Sequence, residues 1–142
     1  MKKTIMRIIC VILPLCMALC IVACGNTEKS EGLWENAVYL EDTSFGNGQK
    51  AVAVEVKAGE KSITFTIYTD AKFLGEALLA HELIDGEMGQ FGMYIKSVNG
   101  ITADYDVDQS YWGFFKNGEY MMTGVDATKI TDGEHYELVY TK

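Results

Sequence analysis

A strict two-residue alternation constrains this chain more than any other feature. Val52, Val54 and Val56 alternate with Ala51, Ala53 and Glu55; beyond Ala58-Gly59-Glu60-Lys61, Ile63, Phe65 and Ile67 alternate with Thr64, Thr66 and Tyr68. Side chains on a strand point to opposite faces in turn, so the pattern predicts a β-hairpin with one wholly apolar face. A lone hairpin is marginal in water. The remaining sequence must therefore cover that face.

The next segment predicts the cover. Asp70 suits a helix N-cap, because its carboxylate can accept from backbone N–H groups left free at a helix start. Leu74, Ala77, Leu78 and His81 then recur at helical spacing within the stretch from Ala71 to Glu82. The reading is a short amphipathic helix that stops near Asp85-Gly86. Further strands follow at Gly92–Val98 and Tyr111–Lys116, ending in Asn99-Gly100 and Asn117-Gly118. Asn-Gly favours tight hairpin turns, since both residues tolerate positive φ. Glu119 to Thr123 reads as a return strand and His135 to Tyr140 as the last one; Phe45-Gly46-Asn47-Gly48 reads as a turn. A hairpin, one helix and several more strands predict an α+β fold, a β-grasp-like mixed sheet with one packed helix.

The N-terminal segment has another character. Met1 to Arg7 is basic, and Ile8 to Ala23 is almost unbroken apolar sequence closing on Ala23-Cys24-Gly25. A bilayer span needs roughly 20 apolar residues, more than this run supplies. The arrangement resembles a bacterial lipoprotein signal peptide with its lipobox, which implies cleavage before Cys24 and lipid attachment to Cys24. The expected organisation is a signal peptide over 1–23, a flexible polar tether over 24–32 and a folded domain over 33–142. All four cysteines and the only proline lie in the first 24 residues. A domain after the tether would thus have no disulfide and would depend on its hydrophobic core. The expected location is the membrane, lipid-anchored on its extracytoplasmic face.

Charge narrows the partners. The chain carries a net charge of −8, and loss of Lys2, Lys3 and Arg7 with the signal would take it to −11. Nucleic acid, which needs basic patches, is not an expected partner.

Two groups of side chains stand out. Tyr94, Tyr111, Trp112, Phe114, Phe115, Tyr120, Met121 and Met122 form the densest aromatic and methionine group. On a strand, Trp112 and Phe114 point to one face and Tyr111, Gly113 and Phe115 to the other. An aromatic face left open marks binding, so Tyr94, Tyr111, Trp112, Phe114, Tyr120 and Met122 are the candidate ligand residues. Gly113 would let a ligand or a neighbouring backbone approach. Trp112→Ala is expected to abolish binding while leaving the fold intact. Asp104, Asp106 and Asp108 alternate as in a calcium loop, and they are the candidate metal ligands. An EF-hand starting at Asp104 would need glycine sixth and glutamate twelfth, where this chain has Gln109 and Phe115, so a solvated acidic loop is the preferred reading. His81 and His135 sit in no metal-spaced cluster. No nucleophile motif or phosphate loop is present, and no enzymatic activity is expected.

Two stretches resemble a known family. Ser110-Tyr111-Trp112-Gly113-Phe114-Phe115, then Gly124-Val125-Asp126, Asp132-Gly133 and Glu137-Leu138-Val139, are similar to the C-terminal β-domain of transcobalamin and intrinsic factor. Asp70 to Leu78, Gly89-Gln90-Phe91-Gly92 and Val98-Asn99-Gly100 resemble bacterial relatives of that domain, a lipoprotein family of unknown function. The resemblance implies a β-grasp-like fold and a ligand-facing edge. It makes a corrinoid of the cobalamin type the candidate ligand, with no cofactor required. In the animal carriers a large helical domain closes on the ligand from the other side, so a helical or transporter protein is an implied partner. The alternative is a protein-interaction or structural module of the cell envelope.

Overall fold

The computed structural model describes residues 32–142. The expected signal peptide, Cys24 and nearly all of the expected tether lie outside the described residues.

Among the described residues, nine strands form two sheets. β1 (Thr43–Gly46), β2 (Lys50–Ala58) and β3 (Lys61–Thr69) are followed by helix α1 (Leu74–Ala80). Then come β4 (Ile84–Gly89), β5 (Gly92–Val98), β6 (Ile101–Thr102), the helical turn α2 (Tyr105–Asp108), β7 (Tyr111–Lys116) and β8 (Glu119–Tyr120). A 3-10 turn over Val125–Ala127 precedes β9 (His135–Thr141). The larger sheet has the order β1-β3-β2-β9-β7-β8 and the smaller one β4-β5-β6. In the larger sheet β2 pairs antiparallel with β3 and parallel with β9, while β9 pairs antiparallel with β7. The arrangement is α+β, mostly strand, with mixed pairing.

The predicted hairpin forms in the register that its pattern demands. Val52 opposes Ile67, Val54 opposes Phe65 and Val56 opposes Ile63. All six are buried, together with Leu74 and Leu78 from α1 and Tyr136 and Leu138 from β9. Fully burying such a side chain contributes about 1.5–3 kcal/mol, so this layer carries the fold. Trp34 adds to the layer's edge: it is buried, and its indole N–H donates to the Ala58 carbonyl at 2.9 Å. Both Asn-Gly pairs turn as expected, with φ of 53° and 78° at Asn99-Gly100 and 51° and 80° at Asn117-Gly118.

Several expectations need correction. Phe45-Gly46 ends a strand, because Thr43–Gly46 runs parallel to β3 and extends the sheet; the turn comes after it. Asp70 does not cap the helix. Its carboxylate accepts from the Gln49 N–H at 2.9 Å and fastens the β1–β2 connection, while Glu76 reaches back to the N–H groups of Lys72 and Phe73. The helix stops at Ala80, and Asp85-Gly86 sits in β4 at a bulge against β5. The return strand is only Glu119–Tyr120, with one further bond in the same register, from the Met121 N–H to the Phe114 carbonyl at 2.9 Å.

Asn99 joins the smaller sheet to the segment ahead of β1. Its side chain accepts from the Tyr39 N–H at 2.9 Å and donates to the Tyr39 carbonyl at 2.8 Å, reproducing a strand pairing with an amide. Its backbone donates to Leu83 and accepts from Val38. Asn99→Ala would leave the half-buried Tyr39 N–H and carbonyl without these partners and place a Cβ residue at positive φ without the side-chain bonds that favour it there. The expected loss is about 3 kcal/mol in urea denaturation, with Asn99→Gly losing less because glycine removes the backbone strain.

Tyr136 supplies a pH dependence. It is fully buried, its hydroxyl donates to Glu134, and that carboxylate also accepts from Lys116 at 2.6 Å and the Thr131 N–H at 2.9 Å. Burial, and then the bond to Glu134, hold the phenol proton well above its ordinary value. In the unfolded chain the phenol ionises near about pH 10, so the folded state keeps a proton that the unfolded state loses. This contribution is fully present below about pH 10 and is lost as pH rises toward the folded value. Urea midpoints measured across alkaline pH should fall more steeply for the wild type than for Tyr136→Phe.

Candidate functional site

β7 and β5 lie side by side, and between them opens a cleft of about 830 Å³. All six candidate ligand residues line it. They divide by exposure. Trp112 and Phe114, at 7% and 8%, form a floor, while Tyr94, Tyr111, Tyr120 and Met122, at 42%, 36%, 61% and 90%, stand at the rim.

The floor is rigid for identifiable reasons. The Trp112 indole N–H donates to the Ile101 carbonyl at 3.1 Å, and its ring meets the Tyr140 ring edge-on at 5.6 Å. Phe114 stacks on Tyr136 at 5.8 Å. Tyr120 is steadied edge-on by Phe115, its partner in register, at 5.4 Å. The expected division of the β7 faces is observed, with Trp112 and Phe114 facing inward. Gly113 does not open a path to a ligand, because the Phe115 ring lies 2.9 Å from where a Cβ would stand. Trp112 is a buried anchor as well as a lining residue. Its truncation would therefore cost stability, so the expectation of an intact fold for Trp112→Ala does not hold.

Some lining residues escaped the sequence reading. Phe91, 88% exposed at the tip of the β4–β5 hairpin, overhangs the cleft; Met93 and Tyr105 also face it. Phe91 did carry a signal, being a large apolar residue within Gly89-Gln90-Phe91-Gly92 where a turn wants polar residues. Asp126, in the 3-10 turn, accepts from the Met93 N–H at 2.8 Å and ties that wall to the turn at Val125–Ala127.

The acidic run forms a capped helical turn rather than a loop. Asp104 is the N-cap of α2 and accepts from the Asp106 N–H at 3.0 Å. Asp108 turns away toward Ser110 and Lys142, whose ammonium donates to it at 2.9 Å. The Ser110 hydroxyl first, and Lys142 next, hold the Asp108 carboxyl down at about 2. Asp104 and Asp106 line the cleft and Asp108 does not. Among the described residues, no group of three or more histidine, cysteine or acidic side chains is gathered closely enough to hold a metal ion. His81 packs against Phe45, and His135 stands 3.5 Å from Glu55. Lys96 is the only cation in the lining; it is paired with Glu87 at 2.9 Å, and that hydrogen bond raises its pKa.

No curated protein matches the chain. Among solved structures, a protein of Ruminococcus gnavus ATCC 29149, named as a candidate metal-binding protein, is 39% identical with a TM-score of 0.63, over 66% of this chain and 98% of that one. Haptocorrin in complex with Cbi aligns with a TM-score of 0.50 and 23% identity, over 69% of this chain and 26% of haptocorrin. At that identity the likeness is one of fold, and it supports the resemblance to the transcobalamin group at that level. The model of the family described as domain of unknown function (DUF4430) matches residues 71–142, half of the chain, and the chain belongs to that family.

Proposed function

We propose that this chain is a lipid-anchored, extracytoplasmic binding module that captures a small molecule for uptake, of which a corrinoid is the leading candidate, and performs no chemistry on it. The observation that carries this is convergence: six residues from β5, β7, β8 and the loop beyond form a single cleft. Its volume falls within the roughly 300–1,000 Å³ of small-molecule sites. Haptocorrin, a protein of related fold, is solved in complex with Cbi, which makes that ligand class the first to test. The sheet order β3-β2-β9-β7-β8, with β2 and β9 parallel and a helix after the hairpin, supports a β-grasp-like reading of the fold. Anchoring through Cys24, a tether to residue 32 and a domain over 33–142 complete the proposal.

A cleft open on one side contacts one face of a large ligand, so a helical or transporter partner would supply the other. The second reading is a protein-interaction module, favoured by the strong exposure of Phe91 and Met122 at the rim. Metal binding, for which the Ruminococcus gnavus protein is named, would have to draw on Asp104 and Asp106 here.

Calorimetric titration of the full chain in detergent with cobinamide and cobalamin tests the first reading. Measurable binding is expected, weakened about threefold to tenfold by Tyr120→Ala combined with Met122→Ala, with the melting temperature unchanged. Heat that is unaltered by the double substitution would move the site elsewhere. No heat at all would end the corrinoid reading and favour a protein partner.

A further inference from the structure

The cleft's chemistry specifies the charge of its occupant. Its walls carry four tyrosines (Tyr94, Tyr105, Tyr111 and Tyr120) and Trp112, and three carboxylates, Glu87, Asp104 and Asp106. Against these stands one ammonium, Lys96, already neutralised by Glu87. The chain as a whole is at −8. An aromatic face presents negative potential and attracts cations, most strongly when the cation is weakly hydrated. A concave acidic surface focuses the same preference and repels anions. Phosphate, carboxylate and nucleotide ligands would find no unpaired cation in this lining.

We infer that the cleft selects a cation borne on an apolar body: a quaternary or protonated amine, or a positively charged ring. Tyr94, Tyr111 and Tyr120 would present ring faces to it from the rim, and Asp104 and Asp106 would add charge from α2. This inference rests on the cleft being the ligand site, and it adds the sign of the charge.

Three probes of nearly one shape separate the outcomes in titrations of the full chain at low salt. They are para-trimethylammoniophenol, its neutral isostere para-tert-butylphenol and anionic para-hydroxybenzoate. The cation should bind about tenfold more tightly than the neutral isostere, and the benzoate should bind least. The preference should shrink in salt, which screens the carboxylates. Asp104→Asn combined with Asp106→Asn should reduce it severalfold; asparagine keeps the cap of α2, and an unchanged melting temperature checks that the fold survives. Equal affinity for the cation and its isostere would overturn the charge selection and leave the cleft as an apolar site. Tightest binding of the benzoate would overturn it too. Binding of none of the three would also overturn it, while the corrinoid titration would still decide the cleft reading separately.

Discussion

The parallel pairing of β2 with β9 is the contact on which the rest of the structure depends. Ala53 to Lys57 lie in register with His135 to Val139. On one side of this pair stand β3 and β1, and on the other β7 and β8. Neither half has a sheet to join without it. Parallel neighbours cannot be linked by a tight turn and need a long crossover. Here the crossover holds α1, the whole smaller sheet and the strands that carry the cleft. The family match begins at residue 71, beyond the first hairpin, yet β9 within it relies on β2 for one of its edges. In this chain the hairpin is thus integral to the domain.

The strongest patterns were legible in the sequence. The hairpin of Val52–Val56 and Ile63–Ile67 could be read because alternation is local and one face is wholly apolar. The Asn-Gly turns could be read because they answer a local demand for positive φ. What escaped notice depended on distant partners. Ile84 to Gly89 has two glycines and two acids and no alternation; it is a strand because β5 pairs with it around a bulge. Thr43–Gly46 is a strand because β3 offers it an edge. Asp70 looked like a cap, but the Gln49 N–H competed for its carboxylate. The cleft was legible in composition and not in shape. Residues on β7 and β8 were found by their density, whereas Phe91 and Tyr105 come from separate turns that only the fold brings to the same opening.

The same side chains pack the core and line the cleft. Trp112 and Phe114 pack on Tyr140 and Tyr136 beneath and face the cleft above. Holding them through Ile101 and the core fixes the floor in advance, which would lower the ordering cost of the proposed binding. The rim is different. Met122 and Phe91 are almost fully exposed and free to adjust, while Tyr120 is steadied by Phe115. A rigid aromatic floor with an adaptable rim suits a flat molecule held on one face.

The position of β9 has a consequence for synthesis. A ribosome releases β2 long before β9, the strand that must lie beside it. Until then the edge that β2 will share stays open, and the pairing that finishes the sheet spans most of the domain. Topologies dominated by such distant contacts fold slowly. A nascent chain of this design can form its local hairpins early but cannot complete the larger sheet until β9 has been made. The floor formed by Trp112 and Phe114 on β7 is therefore among the last parts to be fixed, because β7 takes its place in the sheet through β9.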